Sequence, residues 1–464
     1  MRFCLRHALL LALLGGCAMV GPDYERPDAG IPGRYVESTP QDATLAAVPE
    51  QWWRLYGDPV LDRMVASGLE RNADLRLAAA RVEEAEAALR EARATYFFPL
   101  VELDGGATRV RSSDRTEGGG VRNDFLLGAS TSFEIDFWGR LRRAGLAARE
   151  QYFASRYSRD VVTLTLAAAI AQTYFAVRSL DAQLIAAAET LQAADESLVL
   201  ARKRAEAGLV SDLDVYQASS LRAQTAAQVK ELRRQRAAIV HQLGQLAGLS
   251  DLQLESGDLR QLPVPPLPPA GLPSSLLERR PDVREAEARL AAATHLVGAA
   301  KAAQLPTIRL TGSLGSQSDE LKNLLSAGTE FWSIGLGLVA PILDAGRYAA
   351  RTDQAAARAR QAGVVYEKTV QTAFREVSDA LSNVRLSADA EKDLAERVDQ
   401  ARRTLRLAQL RYQSGYSAYL EVLDAQRALN DAQLALVRNR QQYLAFTVDL
   451  MNSLGGGWTG PVAE

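Results

Sequence analysis

Cysteine and histidine are nearly missing from this 464-residue chain: Cys4 and Cys17, with His7, His241 and His295, are the whole supply. With so few ligands, multi-Cys or multi-His zinc sites, iron–sulfur clusters and an internal disulfide framework are excluded. His241 and His295 stand alone in helical patterns, with no nucleophile or metal partner at a diagnostic spacing, so no enzyme is expected. Excess charge of one sign is also missing. The 54 Lys and Arg are balanced by 56 Asp and Glu, which leaves no basic footprint for a nucleic acid. Beyond the N-terminal segment no stretch reaches about 18 uninterrupted apolar residues, which argues against a spanning helix. At 47 % hydrophobic and 24 % charged, the chain is too apolar for a disordered tail. A globular or membrane-embedded fold is what remains.

The N-terminus is more specific. Arg2, Arg6 and His7 precede a run of Ala and Leu from 8 to 14, and Leu14-Gly15-Gly16-Cys17 follows at once. Residues 1–16 read as a secretory signal peptide whose apolar core is too short for a lasting membrane anchor. The small residues before Cys17 resemble the bacterial lipobox. By that resemblance the Cys17 sulfur takes a diacylglycerol, cleavage follows in front of it, and this covalent lipid is the only non-protein group expected. Ala18 stands where Asp would retain a lipoprotein at the inner membrane, so the outer membrane is the expected location.

The rest of the chain is a tandem duplication. At an offset of 207, Pro99 falls on Pro306, Gly128 on Gly335, Gly139-Arg140 on Gly346-Arg347 and Gly208 on Gly415. Repeat 1 covers 72–261 and repeat 2 covers 282–455. Between them 262–281 forms a Pro-rich connector, too dense in proline from 262 to 273 for helix or central strand. A lipidated N-terminal segment (17–71) precedes the repeats, and a short tail (456–464) follows. A period this long signals two fused copies of one large unit, not a solenoid.

Each repeat holds a hairpin of strict alternation, at 99–137 and 306–343. In the first, Phe125, Leu127, Ala129, Thr131, Phe133, Ile135 and Phe137 share one face, with Leu126, Gly128, Ser130, Ser132, Glu134 and Asp136 on the other, an apolar wall and a mostly polar one. In the second, Ile308, Leu310 and Leu314, then Trp332, Ile334, Leu336 and Leu338, make the apolar wall. Segments of about ten residues or more suffice to cross a bilayer as tilted barrel strands, so these apolar residues are expected to face lipid. Four strands cannot close a barrel, and eight give one filled by side chains. A passage therefore needs at least three chains. Around the hairpins lie long Pro-free helical segments at 139–207 and 346–414, with return helices at 212–248 and 418–452.

The lipobox, the duplicated hairpins, the long helices, Tyr24, Pro27, the Trp52-Trp53 pair and the segment Arg411–Arg427, with its Leu423-Asp424-Ala425-Gln426-Arg427, together resemble the TolC-family outer-membrane factors, above all the OprM-like or NodT-like efflux lipoproteins. The resemblance implies a mixed α and β membrane protein. In it a homotrimer shares a twelve-stranded transmembrane β-barrel, four strands per chain, continued by a long periplasmic α-helical barrel. It also implies a periplasmic adaptor protein and an inner-membrane RND-type pump as partners, with outer-membrane lipid around the barrel. The expected function is the exit duct of a tripartite efflux system. A type I protein-secretion conduit and a non-conducting scaffold are the alternatives.

Gly208 and Gly415 stand where each long helix stops and reverses, as suits a left-handed C-cap. Ser211 and Asp214 have capping-box spacing. In the second tip Leu420, Asp424 and Arg427 share a helical face, and the spacing lets Asp424 and Arg427 pair at i, i+3. The equivalent first-copy positions are Leu213, Gln217 and Ser220. By resemblance Leu420 and Asp424 constrict the periplasmic aperture, Arg427 helps hold it closed, and Glu421 adds negative charge at the mouth. Ser417 replaces a basic residue that some relatives carry there.

Overall fold

A computed structural model describes residues 19–28, 30, 32, 35, 48–113, 115, 120–268 and 276–460. The signal peptide and Cys17 lie outside the described residues, as does part of the Pro-rich connector. By its internal contacts the chain divides into two compact units. One contains Met1–Asp28, Ala80–Arg156 and Glu285–Lys368, and the other Ala29–Ala79, Tyr157–Arg284 and Thr369–Glu464.

The elements run α1 (Pro59–Arg71), α2 (Ala73–Phe97), β1 (Leu100–Ser112), β2 (Gly120–Ile135), α3 (Arg140–Glu206), α4 (Asp212–Leu246), a single turn α5 (Leu276–Arg279), α6 (Pro281–Ala302), β3 (Thr307–Ser318), β4 (Glu330–Val339), α7 (Arg347–Gln413) and α8 (Tyr419–Ser453). The long helices α3 and α7 have 67 residues each, and the return helices α4 and α8 have 35 each. At about 1.5 Å per residue, a long helix measures roughly 100 Å.

In the first unit the strands form one antiparallel sheet in the order β1-β2-β3-β4. Asp136 caps the helix that follows, its carboxylate accepting from the Leu141 and Arg142 amides at 3.0 and 2.9 Å. Asp344 does the same for α7, accepting from the Gly346 and Tyr348 amides. The intervening Gly139 and Gly346 have φ of 78° and 79°, a left-handed conformation that costs glycine nothing. The N-terminal strand of chain is pinned to this unit. Val20 N donates to Trp138 O, Arg143 bonds Asp23 at 2.9 Å, and Arg26 and Tyr24 both donate to Glu287.

In the second unit, α1 begins with Pro59 at the first helical position and Asp58 as N-cap. Asn72 breaks the chain between α1 and α2, its side-chain oxygen accepting from the Asp74 and Leu75 amides. Residues 59–71, expected only as part of the N-terminal segment that precedes the repeats, thus form a helix of their own. Trp52 and Tyr56 are fully buried, and the Tyr56 ring lies 4.9 Å from Phe175. One stretch of α3 is long and apolar enough to cross a membrane by composition, although polar residues interrupt it. Its Ile170, Ala171, Tyr174 and Phe175 are instead buried side chains of this core. A buried ionic cluster also ties the loop before the connector to α3. Asp181, with no exposed surface, accepts from Arg178 at 3.2 Å, from Arg236 at 2.5 Å and from the Gly257 amide at 3.0 Å.

Candidate functional site

Two regions carry the functional geometry: the sheet in the first unit and the helical tips in the second.

The strand register sorts the sheet's side chains. Leu103 lies opposite Ala129, Ala129 opposite Leu314, and Leu314 opposite Trp332; two rows on along the same face, Phe133 lies opposite Leu310 and Leu310 opposite Leu336. Because side chains alternate faces, Phe125, Leu127, Phe133, Ile135, Ile308, Leu310, Trp332, Ile334 and Leu336 all fall on one face. That face is exposed in the single chain, with Trp332 at 77 % and Ile334 at 75 %. The opposite face is mostly polar or small, Leu126 and Phe331 being among its few large apolar side chains: Glu102, Ser130, Ser313 and Ser333 form one row, and Glu134, Arg309 and Gly337 another. Gly128 and Gly315 meet on that polar face, where a Cβ on Gly315 would stand 2.5 Å from the Gly128 Cα. The edge strands β1 and β4 each pair on one side only.

At the tips Gly208 and Gly415 take φ of 71° and 79°. Each closes a Schellman turn: Leu209 N donates to Arg204 O at 2.9 Å, and Tyr416 N donates to Arg411 O at 2.8 Å. These bonds repeat at the 207 offset, so the two turns are the same device used twice. Their side chains are not equivalent. Arg204 Nη1 donates to the Tyr412 carbonyl at 2.7 Å, and its guanidinium stacks 4.8 Å above the Tyr412 ring. The Tyr412 hydroxyl donates to Asp214 at 3.2 Å. Arg411, the second-copy counterpart of Arg204, instead bonds Glu421, the counterpart of Asp214, at 3.2 Å. Tyr412, Tyr419, Val422, Leu423 and Ala425 from the second tip pack with Ala194, Leu198, Ala201, Ala218 and Leu221 from the first in one buried cluster. Burial, then the Asp214 charge, pushes the Tyr412 hydroxyl pKa up to about 12, so it stays a donor at neutral pH.

Two expectations at the tips are corrected. Ser211 caps α4 by accepting from the Leu213 amide at 3.2 Å, but Asp214 does not reach back to close a capping box; its carboxylate is turned to Tyr412. Asp424 and Arg427 do share a face with Leu420, and all three are exposed. Among the described residues, however, neither has an ion-pair partner. Their spacing permits a pair that the exposed geometry does not enforce, consistent with the few tenths of a kcal/mol such a pair contributes. Sequence reasoning missed Tyr412 and Arg204. Their one available signal was that Tyr412 has no first-copy counterpart, Ala205 standing there.

The outer membrane efflux protein family model matches the chain twice, over residues 65–249 and 272–456. Both boundaries of the second match fall 207 residues after those of the first. The solvent efflux pump outer membrane protein SrpC of Pseudomonas putida is 36 % identical over 475 residues, covering 99 % of each chain. The probable outer membrane lipoprotein SilC of Salmonella typhimurium is 33 % identical, covering 96 % of this chain and 97 % of its own. Among solved structures, the open state of the MtrE outer membrane channel of Neisseria gonorrhoeae superposes with a TM-score of 0.84 at 30 % identity, covering 95 % of this chain and 98 % of that one. Fold, duplication and relatives agree: the chain belongs to the outer membrane efflux protein family and is an outer-membrane efflux duct of the TolC type.

Proposed function

We propose that three copies of this chain close their four-stranded sheets into one twelve-stranded barrel, and that the resulting duct is gated at the helical tips. The observation that carries this reading is a sheet with a broad apolar band on one face and two unpaired edges. In hydrocarbon each unpaired backbone group costs several kcal/mol, so β1 and β4 must find partners. Pairing β1 of one copy with β4 of the next satisfies both edges. It also puts the Glu102–Ser130–Ser313–Ser333 row on the inside, where water can follow it. Three copies make the smallest closed ring whose interior is not filled by side chains.

The duct receives its cargo from an inner-membrane RND-type pump through a periplasmic adaptor protein, which engages the tips. The aperture is lined by Leu420, Glu421, Asp424 and Arg427, exposed on a single face of α8. Lipid on Cys17 tethers the chain to the outer membrane. Supporting this, the Val20 amide donates to the carbonyl of Trp138, three residues past the end of β2. No cofactor or metal takes part, and transport is driven by the pump.

The test is the mass of the detergent-solubilised complex, measured together with solute release from vesicles into which it is reconstituted. A trimer that passes small solutes is expected. A monomer, or a trimer that inserts and passes nothing, would contradict the duct.

A further inference from the structure

Large apolar side chains are scarce on the inner face of the sheet, and away from the helices they gather at one end. The strand ends at Leu100, Ile135, Thr307 and Val339 lead into the helices, so the loops after Ser112 and Ser318 lie at the end remote from them. There Val110, Leu126 and Phe331 stand on the inner face. The Phe331 ring lies over the glycine pair: a Cβ on Gly128 or Gly315 would stand 3.4 or 3.0 Å from it. The next rows toward the helices carry Ser130, Ser313 and Ser333, then Ser132, Thr311 and Gly335.

The loop that joins β3 to β4 continues this patch. It is ordered by one helical turn at Leu321–Asn323 and by the Asn323 side chain, which donates to Glu320 at 2.8 Å. Gln317 N donates to Thr329 O, so Thr329 extends the inner-face series of Ser333 and Phe331. Its hydroxyl is shared between the carbonyls of Leu324 and Ser326, at 3.0 and 2.7 Å, which draws the loop toward the inner side. Gly328, at φ of 91°, makes the bend back to β4, its amide donating to the outward carboxylate of Glu330. Leu321 and Leu325, four residues apart, are left 65 and 81 % exposed.

Three copies bring three such loops to one opening. Twelve strands about 4.8 Å apart, tilted by about 40°, enclose a ring roughly 24 Å across between backbones. Residues 319–328, running out and back, reach at most about 16 Å, against a half-width of about 12 Å. Leucines from three copies can therefore meet over the lumen, covering apolar surface that a single chain leaves in water. A constriction lined by leucine and phenylalanine sheds water and ions, and presents no such barrier to an apolar solute.

We propose that Leu321 and Leu325 of three copies, above Phe331 and Leu126, form an apolar collar at the outer mouth, which resists polar solutes entering from outside and yields to apolar cargo leaving. The inference rests on the outer-membrane duct reading, which supplies the trimer and the outward end of the sheet.

The experiment places Ser313→Cys on the inner wall below the collar in three backgrounds: the parent, Leu321→Ser with Leu325→Ser, and Lys322→Ser. Cys4 and Cys17 are the only other thiols in the chain. Intact cells are treated with a sulfonated dye–maleimide too large for general porins, and labelling of the heat-resistant trimer is followed with time. Lys322, paired with Glu320, is the control for a disturbed loop. The parent and Lys322→Ser backgrounds are expected to label slowly, and the double leucine variant several-fold faster. Equal rates in all three overturn the collar while leaving the duct standing, and so does a Lys322→Ser background as fast as the double variant. The purified trimers are also treated with a small methanethiosulfonate. If it fails to modify Ser313→Cys in every background, the lumen holds no water, the duct reading fails and the collar falls with it.

Discussion

The Tyr412 hydroxyl donates to Asp214 at 3.2 Å, joining the last turn of α7 to the first turn of α4. The two residues are 198 apart in sequence and belong to different repeats. Because Tyr412 has no counterpart in the first copy, where Ala205 stands, this contact breaks the pseudo-symmetry of the two tips. Tyr412→Phe removes the bond and leaves the ring packed on Tyr419 and Arg204. A hydrogen bond to a carboxylate contributes about 1.5–3 kcal/mol, so the tip contact should weaken by roughly tenfold or more. Single-channel recordings should show a higher open fraction than the parent, and a double-mutant cycle with Asp214→Ala should show the two effects to be coupled.

The same hydroxyl sets a pH dependence. Its pKa in the folded tip is raised to about 12 from the ordinary 10.0, by burial first and the Asp214 charge second. A group whose folded pKa is raised contributes stability that is complete below its unfolded pKa and lost as pH rises through the folded value. The tip contact should therefore be constant up to about pH 10 and weaken as pH climbs toward 12. Ultraviolet titration of tyrosinate, comparing the parent with Tyr412→Phe, checks this. Loss of no late-titrating tyrosine in the variant would contradict it.

Faces of the sheet respond oppositely to charge. Ile334 lies near the middle of the apolar band, opposite Gly312. Arginine on the lipid face at the bilayer midplane costs about 2–4 kcal/mol, so Ile334→Arg should reduce the yield of heat-resistant oligomer on gels. The adjacent Ser333→Arg points inward, should assemble, and should shift ion selectivity toward anions in a bilayer recording.

Close backbone approach makes a third position sensitive. A Cβ on Gly315 meets the Gly128 Cα and the Leu127 carbonyl at 2.5 Å, both backbone atoms that have nowhere to move. Gly315→Val should impair pairing of β2 with β3 and lower the yield of folded oligomer. Gly106→Val, with open space around its Cβ position, should be tolerated. Band-shift assays of folding into detergent micelles separate the two.

Asp181 tests the second unit. Asp181→Ala leaves Arg178, buried at 8 % exposure, and the half-buried Arg236 without their shared carboxylate. Removing one partner of a buried ionic cluster costs about 3–5 kcal/mol. Thermal unfolding should therefore begin at a clearly lower temperature than in Asp181→Asn, which keeps an acceptor for the Gly257 amide.

How much of this could be read in advance depended on whether the signal was periodic or long-range. Alternation from Phe125 to Ile135 announced both the strand and its apolar face, because period two leaves no freedom once one face is apolar. Gly208 and Gly415 marked the reversals because each turn needs a residue at positive φ. Helix α1 was legible and went unread: Asp58 before Pro59 is a helix-start signal, and Leu61, Met64, Val65 and Gly68 keep to one buried face. The pairings at the tips were not readable. Spacing brought Asp424 and Arg427 together on paper, whereas tertiary packing joined Tyr412 to Asp214 and Arg204, and no local rule connects residues from two repeats. Asp214 shows the difference directly: its spacing suggested a capping box, and burial beside Tyr412 redirected it.

Planar-bilayer conductance of the purified oligomer tests most directly whether side chains at the tips close the duct. The parent should conduct poorly, and Tyr412→Phe, which loses the part-buried bond to Asp214, should conduct more than the parent and more than Asp424→Ala or Arg427→Ala, whose exposed side chains have no ion-pair partner among the described residues. A parent already as conductive as all three variants, or a folded oligomer that never conducts, would contradict the account.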